Sequence, residues 1–183
     1  MRDKRIIYRE SYDNPENNID LYIGKSGIWA LFGKKQQTSE YRCLNVGKCV
    51  NVGSEILYDL ACFHHILFRK NGNLHYINQF GEDCGFCYVS GQTQEYLYPY
   101  IKQQNYSEIV FVYVSQQTRA DKERDFAWRT HAKYWRNGGS FKKEKDQYYE
   151  KNWRNILNDD KKWNKVTDIN EIIDLIQKDR GYE

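Results

Sequence analysis

The apolar positions of this chain change period several times, and each change marks an element. Ile28-Trp29-Ala30-Leu31-Phe32 is a continuous apolar run and reads as a buried strand. The turn residues of 33–39 follow, and Tyr41-Arg42-Cys43-Leu44-Asn45-Val46 reads as the returning strand of an antiparallel hairpin. From Ser54 to Arg69 the period shifts to three and four, with Ile56, Leu60, Phe63 and Leu67 on one face. This predicts a helix capped by Ser54 and ended by Asn71-Gly72-Asn73. Residues 73–90 show no clear period. Residues 95–104 predict a helix that tolerates Pro99 only in its first turn. Ile109-Val110-Phe111-Val112-Tyr113-Val114 predicts a strand buried on both faces. Further helices are expected over 121–137, stopped by Gly138-Gly139, over 142–158, and over 168–180. In the last, Asp168 and Glu171 form a capping-box pattern ahead of an isoleucine stripe. Residues 1–20 are polar and turn-rich and read as a loop or arm.

Two short strings sit on the predicted hairpin: Gly27-Ile28-Trp29 on the first strand and Asn45-Val46-Gly47 on the second. With the order hairpin, helix, linking segment, strand, helix, they resemble the GIY-YIG nuclease domain over residues 22–137. The resemblance implies an α+β fold, a small central antiparallel sheet of about three strands flanked by helices. Residues 1–20 would then be an N-terminal arm, 21–137 the GIY-YIG-like core and 138–183 an extra helical C-terminal region of a single domain. It also implies a metal-dependent phosphodiesterase, with Mg²⁺ or Mn²⁺ held by Glu123 and duplex DNA as partner. Asn137 matches the family's later asparagine. The literal string Tyr22-Ile23-Gly24 lies upstream of the first motif, out of family order, but places a tyrosine hydroxyl near the sheet edge.

The departures carry chemical meaning. Trp29 and Asn45 stand where the family has tyrosines; an indole only donates a hydrogen bond, and an amide does not ionise. Glu55 stands where the family has an arginine that stabilises phosphorane charge, and a carboxylate there repels a phosphate diester. The substitute catalytic set is Glu123, Lys48 and Tyr22. Three readings follow: a nucleic-acid-associated protein with a degraded or altered nuclease site, an active divergent endonuclease, and a non-catalytic protein-interaction module on the same scaffold.

Composition adjusts this picture modestly. The net charge of the 183 residues is only +3, but 119–165 hold fourteen Lys/Arg against eight Asp/Glu, interleaved with aromatics. That mixture suits phosphate contact and base stacking as well as a solvated helical face. Arg124, Arg129, Lys133, Arg136 and Asn137 are the candidate nucleic-acid contacts. No apolar run is long enough to span a bilayer, and no signal-peptide pattern opens the chain, so no membrane partner and a cytoplasmic location are expected. The five cysteines read as reduced thiols. Cys84-Gly85-Phe86-Cys87 is a lone CxxC, a weak zinc signal even with Cys43, Cys49 or His64-His65 as further ligands.

Overall fold

A computed structural model of the chain describes residues 5–64, 67–70, 73–77, 83–86, 93–135 and 165–178, with side chains outside 65–96. Its centre is the predicted hairpin, strands β3 (Gly27–Lys35) and β4 (Tyr41–Cys49). Strand β8 (Tyr106–Ser115) pairs antiparallel with the other side of β3. The sheet continues through β1 (Ile6–Glu10) and β2 (Glu16–Asn17), in the order β2-β1-β8-β3-β4. The architecture is therefore α+β, but the sheet has five strands rather than about three. The expected N-terminal loop supplies the two extra strands, because Ile7 is fully buried and Tyr8 to Glu10 pair with Phe111 to Ile109.

Both faces of this sheet are covered. Trp29, Leu31, Leu44, Ile109 and Phe111 pack with helix α1 (Val52–His64) and helix α2 (Thr93–Gln103). Ile28, Ala30, Phe32, Val110, Val112 and Val114 pack against α3 (Ala120–Arg129) and α4 (Ile169–Gln177). The unbroken apolar runs of β3 and β8 follow from this double covering, since alternate residues serve opposite layers.

Several boundaries differ from the sequence reading, each for a local reason. Helix α1 starts two residues early because Asn51 is its cap: the Asn51 side-chain oxygen accepts from the backbone N–H groups of Ser54 (3.2 Å) and Gly24 (2.9 Å). The helix ends at His64, and residues 67–70 form strand β5 (Leu67–Lys70) instead of a last helical turn. β5 pairs with β6 (Asn73–Ile77) across Asn71-Gly72, and β7 (Asp83–Phe86) completes a second, three-stranded sheet. Pro99 lies inside α2, not in its first turn. Burial of Leu97, Tyr98 and Ile101 offsets the helical hydrogen bond lost there.

The helix expected over 121–137 stops at Arg129. His131 takes a left-handed conformation (φ 49°), its N–H donates to the Trp128 carbonyl, and the Ala132 N–H donates to the Ala127 carbonyl. This is a Schellman turn with histidine where glycine is usual. Helix α4 begins as expected, with the Asp168 carboxylate accepting from the Glu171 N–H at 2.9 Å. The Glu171 side chain reaches back to Thr167. The helix expected over 142–158 lies outside the described residues. No helix among the described residues is long and apolar enough to cross a membrane.

Two stability outcomes follow. A methyl group at Gly47 would meet the Trp29 indole at 2.4 Å, so Gly47→Ala is expected to cost about 1–3 kcal/mol in urea unfolding. Asp168→Ala removes a cap and is expected to cost about 1 kcal/mol in the same measurement.

Candidate active site

The two motif strings are brought together by the register of β3 and β4. Trp29 lies opposite Gly47, and Gly27 opposite Cys49. A bulge intervenes: Leu31 opposes Asn45 and Phe32 opposes Cys43, leaving Leu44 as the extra residue. Beyond the bulge the alternation is reset, so Asn45, Gly47 and Cys49 face the α1/α2 layer while Val46 packs on the opposite side. The Trp29 indole lies flat over the space left by Gly47.

Helix α1, fixed at its start by Asn51, presents Glu55 and Asp59 one turn apart to this patch. Burial lifts the Glu55 carboxyl to about 7, and the negative charge of Glu123 adds to the rise. The Cys49 thiol, the Trp29 indole N–H and the Lys48 ammonium oppose it. The indole N–H is turned to Glu55 without reaching hydrogen-bond geometry, and its nitrogen is buried without a partner. Asp59 is completely buried. One of its oxygens accepts from the Tyr98 hydroxyl at 2.7 Å, and the other has no partner. Burial, then the charge of Glu55, raises its carboxyl far above the ordinary range. Burial and the neighbouring Asp59 raise the Tyr98 phenol as well, against the effect of Asn45, which contacts it from β4.

Glu123 arrives from the other side of the sheet. It lies in the first turn of α3, half-buried, and its carboxylate accepts from the Trp135 indole N–H at 3.2 Å. The Schellman turn makes this contact possible by reversing the chain after Arg129. The Lys133 and Tyr134 N–H groups then donate to the Cys43 and Leu44 carbonyls on the outer edge of β4, at 3.0 and 2.7 Å. Trp135 is thereby returned alongside the helix that carries Glu123.

Of the residues singled out from the sequence, Glu123 and Lys48 act on Glu55 through their charges, the first raising and the second lowering its carboxyl. Lys48 is exposed at the outer end of β4. Tyr22 is buried in a 3₁₀ turn (Ile19–Tyr22), where its ring lies 5.1 Å from that of Tyr113 and under the Lys25 ammonium. Arg124 and Arg129 are exposed on α3, and Arg129 pairs with Asp125 one turn before it. Lys133 is half-buried near the opposite end of the β3–β4 hairpin. Arg136 and Asn137 lie outside the described residues, as do the side chains of Cys84 and Cys87. Cys43 is buried, and burial pushes its thiol up to about 12, which keeps it protonated. Sequence reasoning passed over Glu55 as a participant and over Asp59 and Tyr98 altogether, and weighed Cys49 only as a zinc ligand. The one available signal was Asp59, an acid within the apolar run Ile56 to Phe63 and one turn from Glu55.

No protein-family model, no curated protein and no solved structure matches this chain. The geometry therefore carries the chemistry alone. The negative charge of Glu123 and the positive charge of Lys48 both act on the Glu55 carboxyl, which changes protonation near neutral pH, as a general acid or base requires. Among the described residues, no three of His, Cys, Asp and Glu form a group able to hold a metal ion.

The raised Glu55 carboxyl links stability to pH. A group whose folded pKa lies above its unfolded value favours the fold fully below the unfolded pKa, and that contribution is lost as pH rises through the folded one. Stability from Glu55 is thus expected to fall between its ordinary value of 4.5 and about 7. Glu55→Gln should flatten that part of the stability-versus-pH curve, read by urea melts across the window. Glu123→Gln should shift its upper limit downward by removing the neighbouring charge.

Proposed function

We propose that the chain is a GIY-YIG-like, nucleic-acid-associated protein whose nuclease site has been altered into a two-carboxylate site. The observation that carries this reading is that the charge of Glu123 acts on Glu55, which α1 presents to the paired motif strings. Glu55 occupies the position of the family's arginine, and alone it would repel a phosphate diester. With Glu123 it makes a pair of oxygen donors with excess negative charge, the chemistry that hard divalent cations such as Mg²⁺ or Mn²⁺ prefer. A cation held by Glu55 and Glu123 would supply Lewis-acid polarisation of the phosphate.

The protein's own groups have separable roles in this reading. Without a cation Glu55, its carboxyl lifted to about 7, exchanges a proton near neutral pH, and a bound cation would displace that proton. Lys48 offers an exposed ammonium to a phosphate oxygen. Trp135 holds the Glu123 carboxylate in place through its indole N–H. The buried Trp29 indole, packed close over Gly47, forms the floor of the site. Arg124 and Arg129, exposed on the helix that bears Glu123, offer further phosphate contacts.

The test combines binding and cleavage of labelled duplex DNA. Binding is expected to weaken steeply with salt, as phosphate contacts dictate. Nicking is expected only with Mg²⁺ or Mn²⁺, and Glu123→Ala should reduce it by about 100-fold or more while leaving salt-dependent binding in place. Absence of both binding and nicking at low salt would instead favour a protein-interaction module.

A further inference from the structure

The closed end of the β3–β4 hairpin carries a second feature, distinct from the acidic pair. A cavity of about 190 Å³ is lined by Gly33, Lys35, Thr38, Glu40, Arg42, Tyr106 and Lys133. Gly33 and Arg42 are direct cross-strand partners. Glu55 faces Trp29 beside Gly47, four to five residues further along the same strands, or about 13–16 Å at strand rise. One small ligand therefore does not touch both.

We propose that this cavity binds a phosphate group, presented as a monoester or as the free ion. Three cationic side chains line it against one carboxylate, and Glu40 already lies 3.7 Å from the Lys165 ammonium. Arg42 is only 8% exposed, so its guanidinium works against a protein wall, where charge attraction is stronger than in open water. Its planar donor fork suits a tetrahedral oxyanion. Aromatic rings sit close to both lysines: the Lys35 ammonium is 5.5 Å from the Tyr106 ring centre, and that of Lys133 is 5.7 Å from the Tyr134 ring centre. Gly33 makes room for this arrangement, since a methyl group there would fall 2.8 Å from the Tyr106 ring. The volume decides the class of ligand. It lies below the roughly 300 Å³ at which pockets begin to enclose whole drug-sized molecules, so the cavity takes the phosphate and leaves the rest of the ligand outside.

The proposal stands apart from the nuclease reading, because it uses none of the residues of the acidic pair. The test follows backbone amide NMR shifts of the full chain during titration with inorganic phosphate, against chloride at matched ionic strength. Saturable shifts are expected at Gly33, Thr38 and Arg42. Lys35→Gln combined with Lys133→Gln should weaken the phosphate Kd by about tenfold or more. These side chains are exposed and half-buried, so the variant is expected to keep the wild-type amide spectrum elsewhere. If that variant loses the fold, each single substitution is titrated instead, and each should weaken binding. Comparing a 5′-phosphorylated oligonucleotide with its 5′-hydroxyl counterpart then identifies the source. Tighter binding of the phosphorylated strand assigns a nucleic-acid end, and equal binding of the two assigns a small phosphate compound. No saturable shift with phosphate, shifts confined to other regions, or an unchanged Kd in folded lysine variants would overturn the proposal.

Discussion

The contact of the Trp29 indole with the backbone of Gly47 is the constraint on which the rest of the site depends. Only a residue without a side chain permits an indole to lie there. The indole in turn closes the sheet beneath Glu55, stripping that carboxyl of part of its water. It also packs at 5.7 Å against Phe111 of β8, joining the three central strands through one side chain. A tyrosine at the same position would carry its polar group at the far tip of the ring. Tryptophan instead offers an N–H from its flank, and that N–H faces the helix.

The bulge at Leu44 is the second determinant. Strict alternation would send Asn45, Gly47 and Cys49 to the α3/α4 layer, away from Glu55. One extra residue in β4 turns that half of the strand over, and the motif string then faces the same helix as Trp29. Arg42 and Leu44, before the reset, also face the α1/α2 layer. A single irregularity thus lets the two ends of the hairpin present opposite charge on the same side: acidic near the motif, basic near the turn.

The strongest periodic segments were legible in the sequence. The β3–β4 hairpin, β8 and α4 follow directly from apolar runs and capping residues, because local pattern and tertiary burial agree there. The boundaries that shifted did so where one local signal supports two structures. Asn71-Gly72 ends a helix as readily as it turns a hairpin, and only pairing between Leu67–Lys70 and Asn73–Ile77 separates the two. His131 bears none of the features of a helix stop, so α3 read as longer than it is. The acidic site was half legible. Glu123 and Lys48 could be named, but the contact of Glu123 with Trp135 depends on a chain reversal that no residue announces. Asp59 and Tyr98 were hidden because their pairing joins α1 to α2 across 39 positions.

That reversal has a consequence for how the molecule is assembled. The outer edge of β4 is bonded at Tyr41 by Val166 and at Cys43 and Leu44 by Lys133 and Tyr134. The groups that close this edge lie about 90 and 125 positions downstream in the chain. During synthesis the hairpin emerges early, while its seal emerges late. Until then the strand offers free backbone donors and acceptors, the template on which edge-to-edge association grows. A chain cut short before Lys133 would keep that template exposed. The last third of the sequence therefore acts as a built-in guard for the first.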